Sequence, residues 1–131
     1  MHKTKLLKLY RNLSNLERKH FSDFTASPFF NKKTALVQLC TYLQSTAPQF
    51  APEKLEKQRV FANVMGKAPF DDQQLRLFAS DLIQLLNKFL SFQTFSEMGS
   101  LPEILLLRNL GNRDLDNHFQ YVLRKARQIQ N

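Results

Sequence analysis

The chain has no tryptophan, one cysteine, three glycines and five prolines in 131 residues. So few glycines and prolines exclude a sheet protein built on many tight turns and suit helices joined by short loops. The lone thiol, Cys40, cannot close an internal disulfide, so nothing points to a cross-linked secreted scaffold and a reducing, cytoplasmic setting is expected. No apolar run approaches the roughly 18 residues of a membrane span. At the start, Lys3, Lys5 and Lys8 interrupt the leucines before a signal-peptide core can build up. No membrane association is expected.

Chemistry-bearing motifs are equally scarce. The chain has no glycine-rich phosphate loop, no HExxH, no CxxC and no nucleophile elbow. His2, His20, His118 and Cys40 form no recognisable catalytic or ligand set. His20 is expected on the apolar side of its helix and Cys40 as an inert buried thiol. The close carboxylate pairs, Asp71 with Asp72 and Asp114 with Asp116, each sit just before a predicted helix. Helix capping and the helix dipole account for them without acid/base or cation chemistry. The reading is therefore of a non-enzyme with no catalytic, cofactor-binding or metal site and no small-molecule substrate.

What the sequence does hold is apolar side chain in quantity, 43% of residues with twelve phenylalanines, enough for one domain over 1–131. Its spacing is helical. Leu6, Leu7, Leu9, Tyr10 and Leu13 predict a helix over about 3–12, and Ser14 with Glu17 forms a capping box that opens a second. Leu16, His20, Phe21 and Phe24 line that second helix, which stops at Ser27-Pro28 because the residue before proline avoids helical backbone. Asn31 is the expected N-cap of a third helix, about 32–46, that buries Leu36, Val37, Leu39, Cys40 and Leu43 and ends at Pro48. Pro52 opens a fourth, facing inward with Leu55, Val60, Phe61, Val64 and Met65 and closing at Gly66.

The strongest pattern follows. Leu75, Phe78, Leu82, Leu85, Phe89 and Phe92 recur at spacings of three and four, with Ala79, Ile83, Leu86, Leu90 and Phe95 as a second stripe. A helix from about 72 to 95 would be about 36 Å long and central to the core. Gly99 and Ser100 break it; a sixth helix starts at Leu101, and Leu115, Phe119, Val122, Ala126 and Ile129 mark a seventh. The fold class is all-α, six or seven helices around a central helix at about 72–95, with a C-terminal helical hairpin as an option. That hairpin has the size of one tetratricopeptide-like unit, which leaves open a longer helical protein beyond Asn131.

The net charge is +8, and residues 1–33 supply six of those eight charges. Lys3, Lys5, Lys8, Arg11, Arg18, Lys19, Lys32 and Lys33 are the candidate contacts for an anion or nucleic acid, set against the simpler expectation that lysines solvate outward faces. Phe29 and Phe30 follow a helix-breaking proline, where they form either a buried plug or an exposed partner surface. The leading function is a non-enzymatic interaction module for a protein partner. The alternative is a nucleic-acid-binding domain, using either the basic N-terminal helices or a helix-turn-helix at about 55–90.

Two resemblances bear on this. The segment from Val60 to Gly66 with Leu75 to Leu82 is somewhat similar to the winged-helix domains of bacterial transcriptional activators, but its would-be recognition helix carries Asp71, Asp72 and Asp81 and no wing strands follow. Ser27-Pro28-Phe29-Phe30-Asn31-Lys32, Pro69-Phe70-Asp71-Asp72, Leu75-Arg76, Ser80-Asp81-Leu82 and Phe89-Leu90 resemble a family of all-helical bacterial proteins, typical of Bacteroidetes. That family has no assigned activity, so the resemblance implies the helical fold and no functional residues.

Overall fold

The computed structural model describes Met1 and residues 4–130, with backbone alone at 129 and 130. His2, Lys3 and the side chain of Ile129 lie outside the described residues. The described residues form seven helices and no strand: α1 (Lys5–Asn12), α2 (Asn15–Ala26), α3 (Thr34–Thr46), α4 (Lys57–Met65), α5 (Asp72–Ser96), α6 (Leu101–Asn112) and α7 (Asp116–Gln130). Their contacts gather into two units, Met1–Phe89 and the residues from Leu90 on.

The first unit is assembled by local signals that the sequence displays openly. Thr4 caps α1 through its side chain, which accepts from the Leu7 amide. Leu6, Leu7 and Tyr10 are buried. The Ser14 hydroxyl accepts from the Glu17 amide at 3.1 Å while the Glu17 carboxylate accepts from the Ser14 amide at 2.9 Å, so the capping box is complete. Gly66 closes α4 at φ +67° and ψ −125°, a conformation that residues with a Cβ rarely adopt.

α5 contributes Leu75, Leu82, Leu85, Leu86 and Phe89 to the core, and it is the long helix central to packing. Phe89 lies 5.4 Å from Phe21 and 5.5 Å from Phe24, ring centre to ring centre, so α2 closes on α5 through aromatic contacts. The ion pair of Lys57 with Asp72, 3.2 Å, ties the start of α4 to the start of α5.

Three expectations are corrected by the packing. His20 and Leu16 face solvent rather than the core, and α2 buries Arg18, Phe21, Phe24 and Thr25 instead. Phe92 is half exposed, outside the buried stripe of α5. The fourth helix does not run unbroken from Pro52, because a 3-10 turn at Pro52–Leu55 gives way to extended backbone at Glu56 before α4 begins. Leu55 and Val60 are both fully buried, and the break at Glu56 separates the two segments that bury them.

The core of this unit contains a small polar group. Burial first, and Cys40 second, pushes the Tyr10 phenol above its ordinary range, against a smaller pull from Arg18. Burial pushes the Cys40 thiol up to about 11, against a smaller pull from the Thr25 hydroxyl. Both folded-state values exceed the unfolded ones, so the thiol's stabilisation is complete below about pH 9, its ordinary value, and is lost as pH rises to about 11, while the phenol's begins to be lost only above its own ordinary value of about 10. The urea midpoint should therefore fall between about pH 9 and 11, and Cys40→Ala should flatten part of that fall. An unchanged slope in the variant would show that the thiol is not the titrating group.

In the second unit α6 and α7 form a helical pair. Leu110, Val122 and Ala126 are buried, and a Cβ added at Gly111 would meet the Phe119 ring at 3.9 Å, an ordinary contact. Asp114 does not cap α7 as a helix start would suggest; it is a turn residue at φ +58°, while Asp116 occupies the first turn.

Candidate partner-binding surface

Between α2 and α3 the chain makes a tight, well-anchored loop. Pro28 prevents α2 from continuing, and the Phe30 and Asn31 amides both donate back to the Ser27 carbonyl, at 3.1 and 2.9 Å. Asn31 fixes the rest. Its Nδ2 donates to the Thr25 carbonyl at 2.9 Å and the Lys33 carbonyl at 3.1 Å, and its Oδ1 accepts from the Lys33 amide at 3.0 Å. The expectation that Asn31 caps α3 is thus corrected: the cap residue is Lys33, with no side-chain cap bond, and Asn31 builds a turn ahead of it.

This anchoring divides the two phenylalanines. Phe30 stacks on Phe24, centroids 4.1 Å apart and planes 20° from parallel, and is half-buried. Phe29 meets Phe30 edge-on at 5.0 Å and remains 88% exposed. The buried-plug alternative therefore describes part of Phe30 and not Phe29. The loop's hydrogen bonds fix the backbone beside Phe29, so the exposed ring projects from an anchored loop.

Beside the loop lies an open depression of about 250 Å³. Phe30, Leu36 and Leu85 give it apolar lining, and Lys32, Lys33, Lys88 and Asp81 bring charge to it. The Lys33 ammonium and the Asp81 carboxylate are paired at 2.8 Å. The structure thus brings Phe30, Lys32 and Lys33 together on one surface. Lys88, Leu85 and Asp81 were not candidates for a binding surface in the sequence, where Leu85 counted as part of the apolar stripe of α5 and Asp81 as an acid against a recognition helix. The available signal was Asp81, Gln84 and Lys88 at helical positions i, i+3 and i+7.

The remaining candidate cations do not join into one face. Lys5 and Lys8 are exposed on the outer side of α1 and Lys19 on α2, where Asp23 follows one turn later. Arg11 places its guanidinium 5.3 Å from the centre of the Phe50 ring. Arg18 is corrected from surface contact to core residue. It is 7% exposed, donates to the Leu13 carbonyl and the Asn15 side chain, and lies 5.6 Å from the Phe50 ring, so its charge is satisfied internally. Lys3 lies outside the described residues.

The second unit exposes a different apolar surface. Ile104, Leu105 and Leu106 of α6 are all exposed although Leu110 of the same helix is buried, so α6 is apolar around most of its circumference. On α7, Tyr121 stacks against His118 with Lys125 over its ring. Among the described residues no three His, Cys, Asp or Glu side chains gather as a metal site, and no helix is long and apolar enough to cross a membrane.

Scans of the chain against protein-family models, curated proteins and solved structures give no match.

Proposed function

We propose that the protein is a non-enzymatic helical interaction module that binds a protein partner through the loop carrying Phe29 and the depression beside it. One observation carries this reading: Phe29 is 88% exposed on a loop whose backbone is fixed by Asn31 and by Phe30 stacked on Phe24. An aromatic ring held in water on a rigid support keeps its apolar area available to a partner and loses little side-chain freedom on binding. Such residues commonly supply a large share of interface energy.

Photo-reactive benzoylphenylalanine placed at position 29 in the cell that makes the protein tests this reading. A discrete protein adduct at position 29, absent when the probe stands at the position of Leu77, another exposed apolar residue, is the expected result. Uniform labelling at both positions would remove the support.

The nucleic-acid alternative draws on Lys5 and Lys8, which stand exposed on α1 without a carboxylate partner among the described residues. Against it, Arg18 is withdrawn into the core and Asp23 shares the outer face of α2 with Lys19. Its helix-turn-helix version would need a polar recognition face on α5. That helix spends Leu75, Leu82, Leu85, Leu86 and Phe89 on the core and carries Asp72 and Asp81 among its polar residues.

A further inference from the structure

We infer that the occupant of the depression beside Phe29 is a short acidic peptide segment with one apolar anchor side chain; this rests on the proposed protein-binding reading. Three lysines, Lys32, Lys33 and Lys88, face a single carboxylate, Asp81, which leaves a net charge of +2 (three minus one) around the depression. Lys33 already holds Asp81 at 2.8 Å. Among the described residues, the other ion pairs are Lys57 with Asp72 and Arg76 with Asp72, so neither Lys32 nor Lys88 has a carboxylate partner.

The two lysines come from different elements, Lys32 from the α2–α3 loop and Lys88 from the middle of α5, with Phe30, Leu36 and Leu85 also lining the depression. Cations from two elements beside an apolar lining favour a segment that carries both an apolar side chain and carboxylates. A basic segment would meet two unpaired ammonium groups, and a wholly apolar one would leave the lysines without partners. Phe29, edge-on to Phe30, extends the apolar contact beyond the depression itself. The depression is too open to enclose a small molecule on its own, and a peptide lying across it reaches Phe29 as well.

The test is peptide selection against the full chain. A phage-displayed library of random peptides is panned on immobilised protein at about 50 mM salt, where charge pairing is weakly screened. The expected consensus is one large apolar residue together with Asp or Glu. A synthetic peptide of that consensus should lose at least tenfold in affinity to the Lys32→Glu, Lys88→Glu double variant, and severalfold on raising salt to about 200 mM. Both lysines are exposed, so the double variant should keep its melting temperature, which is checked alongside.

Panning on the double variant should return basic rather than acidic peptides. Binders that lose affinity with Phe29→Ala but are indifferent to the charge reversal would overturn the acidic occupant and leave the protein-binding reading standing. Binders indifferent to both, or no binders, would overturn both. Oligonucleotide binding abolished by the charge reversal, with no peptide selected, would transfer the surface to nucleic acid.

Discussion

Phe89→Ala should cost about 3–5 kcal/mol of unfolding free energy, the range for truncating a buried aromatic without collapse of the site. Phe89 is 5% exposed and touches the rings of both Phe21 and Phe24, which in turn supports Phe30. Removing the ring takes away two aromatic contacts at once and leaves a cavity between α2 and α5. The expected urea curve has a much lower midpoint and an unchanged slope. Phe89→Leu keeps most of the volume and should lose less than half as much. A loss under about 1 kcal/mol for the alanine variant would mean that α2 and α5 can close over the gap, and that the aromatic cluster does not hold them.

Arg18→Ala should cost about 2–4 kcal/mol, an unusually large effect for removing an arginine, because this one is buried. Its guanidinium satisfies the Leu13 carbonyl, which ends α1, and the Asn15 side chain, which begins α2, while lying against Phe50. The side chain therefore links the α1–α2 junction to the loop after α3. Phe50 itself sits at φ +51°, with its amide donating to the Thr46 carbonyl at 2.7 Å, so its backbone is held in a sparsely populated region and depends on such packing. Arg18→Lys should rescue little, since one ammonium cannot reproduce two hydrogen bonds of a planar fork and lies less well on a ring. Thermal unfolding of both variants reads this out. A lysine variant that matches the wild type would show that charge alone, rather than the fork, is what the site requires.

Some helix ends were legible in the sequence and others, at Asn31, Pro52 and Asp114, were not. Ser14 with Glu17, Pro28 and Gly66 each act within four residues, through a backbone bond or a forbidden backbone angle, and each ends or begins a helix where its chemistry says it should. The long period of α5 was legible for the same reason: leucines and phenylalanines over some twenty residues leave little choice of element. What local pattern could not supply was the partner of each side chain. On α2, Leu16 and His20 fit an apolar stripe with Phe21 and Phe24 as well as Arg18 does. Arg18 wins because Phe50, thirty-two positions away, offers a ring face, and because two oxygen acceptors wait at the α1–α2 junction. The basic N-terminus was visible as a count but not as a surface, since its cations divide among a buried residue, an ion pair, a ring contact and open solvent.

The same limit governs the candidate surface. Phe29, Phe30, Lys32 and Lys33 are adjacent in sequence and were singled out separately, two as apolar and two as charged. Only the fold puts Lys88 and Leu85 of α5 beside them, and only the Asn31 hydrogen bonds explain why Phe30 turns inward while Phe29 does not.

The most direct test of the central claim is the photo-cross-linking comparison, extended to probes at positions 29, 8 and 19 in the same cells. The account predicts a discrete protein adduct at position 29, with positions 8 and 19 giving none. Nucleic-acid adducts at positions 8 and 19, with nothing at 29, would contradict it and move the function to the outer faces of α1 and α2.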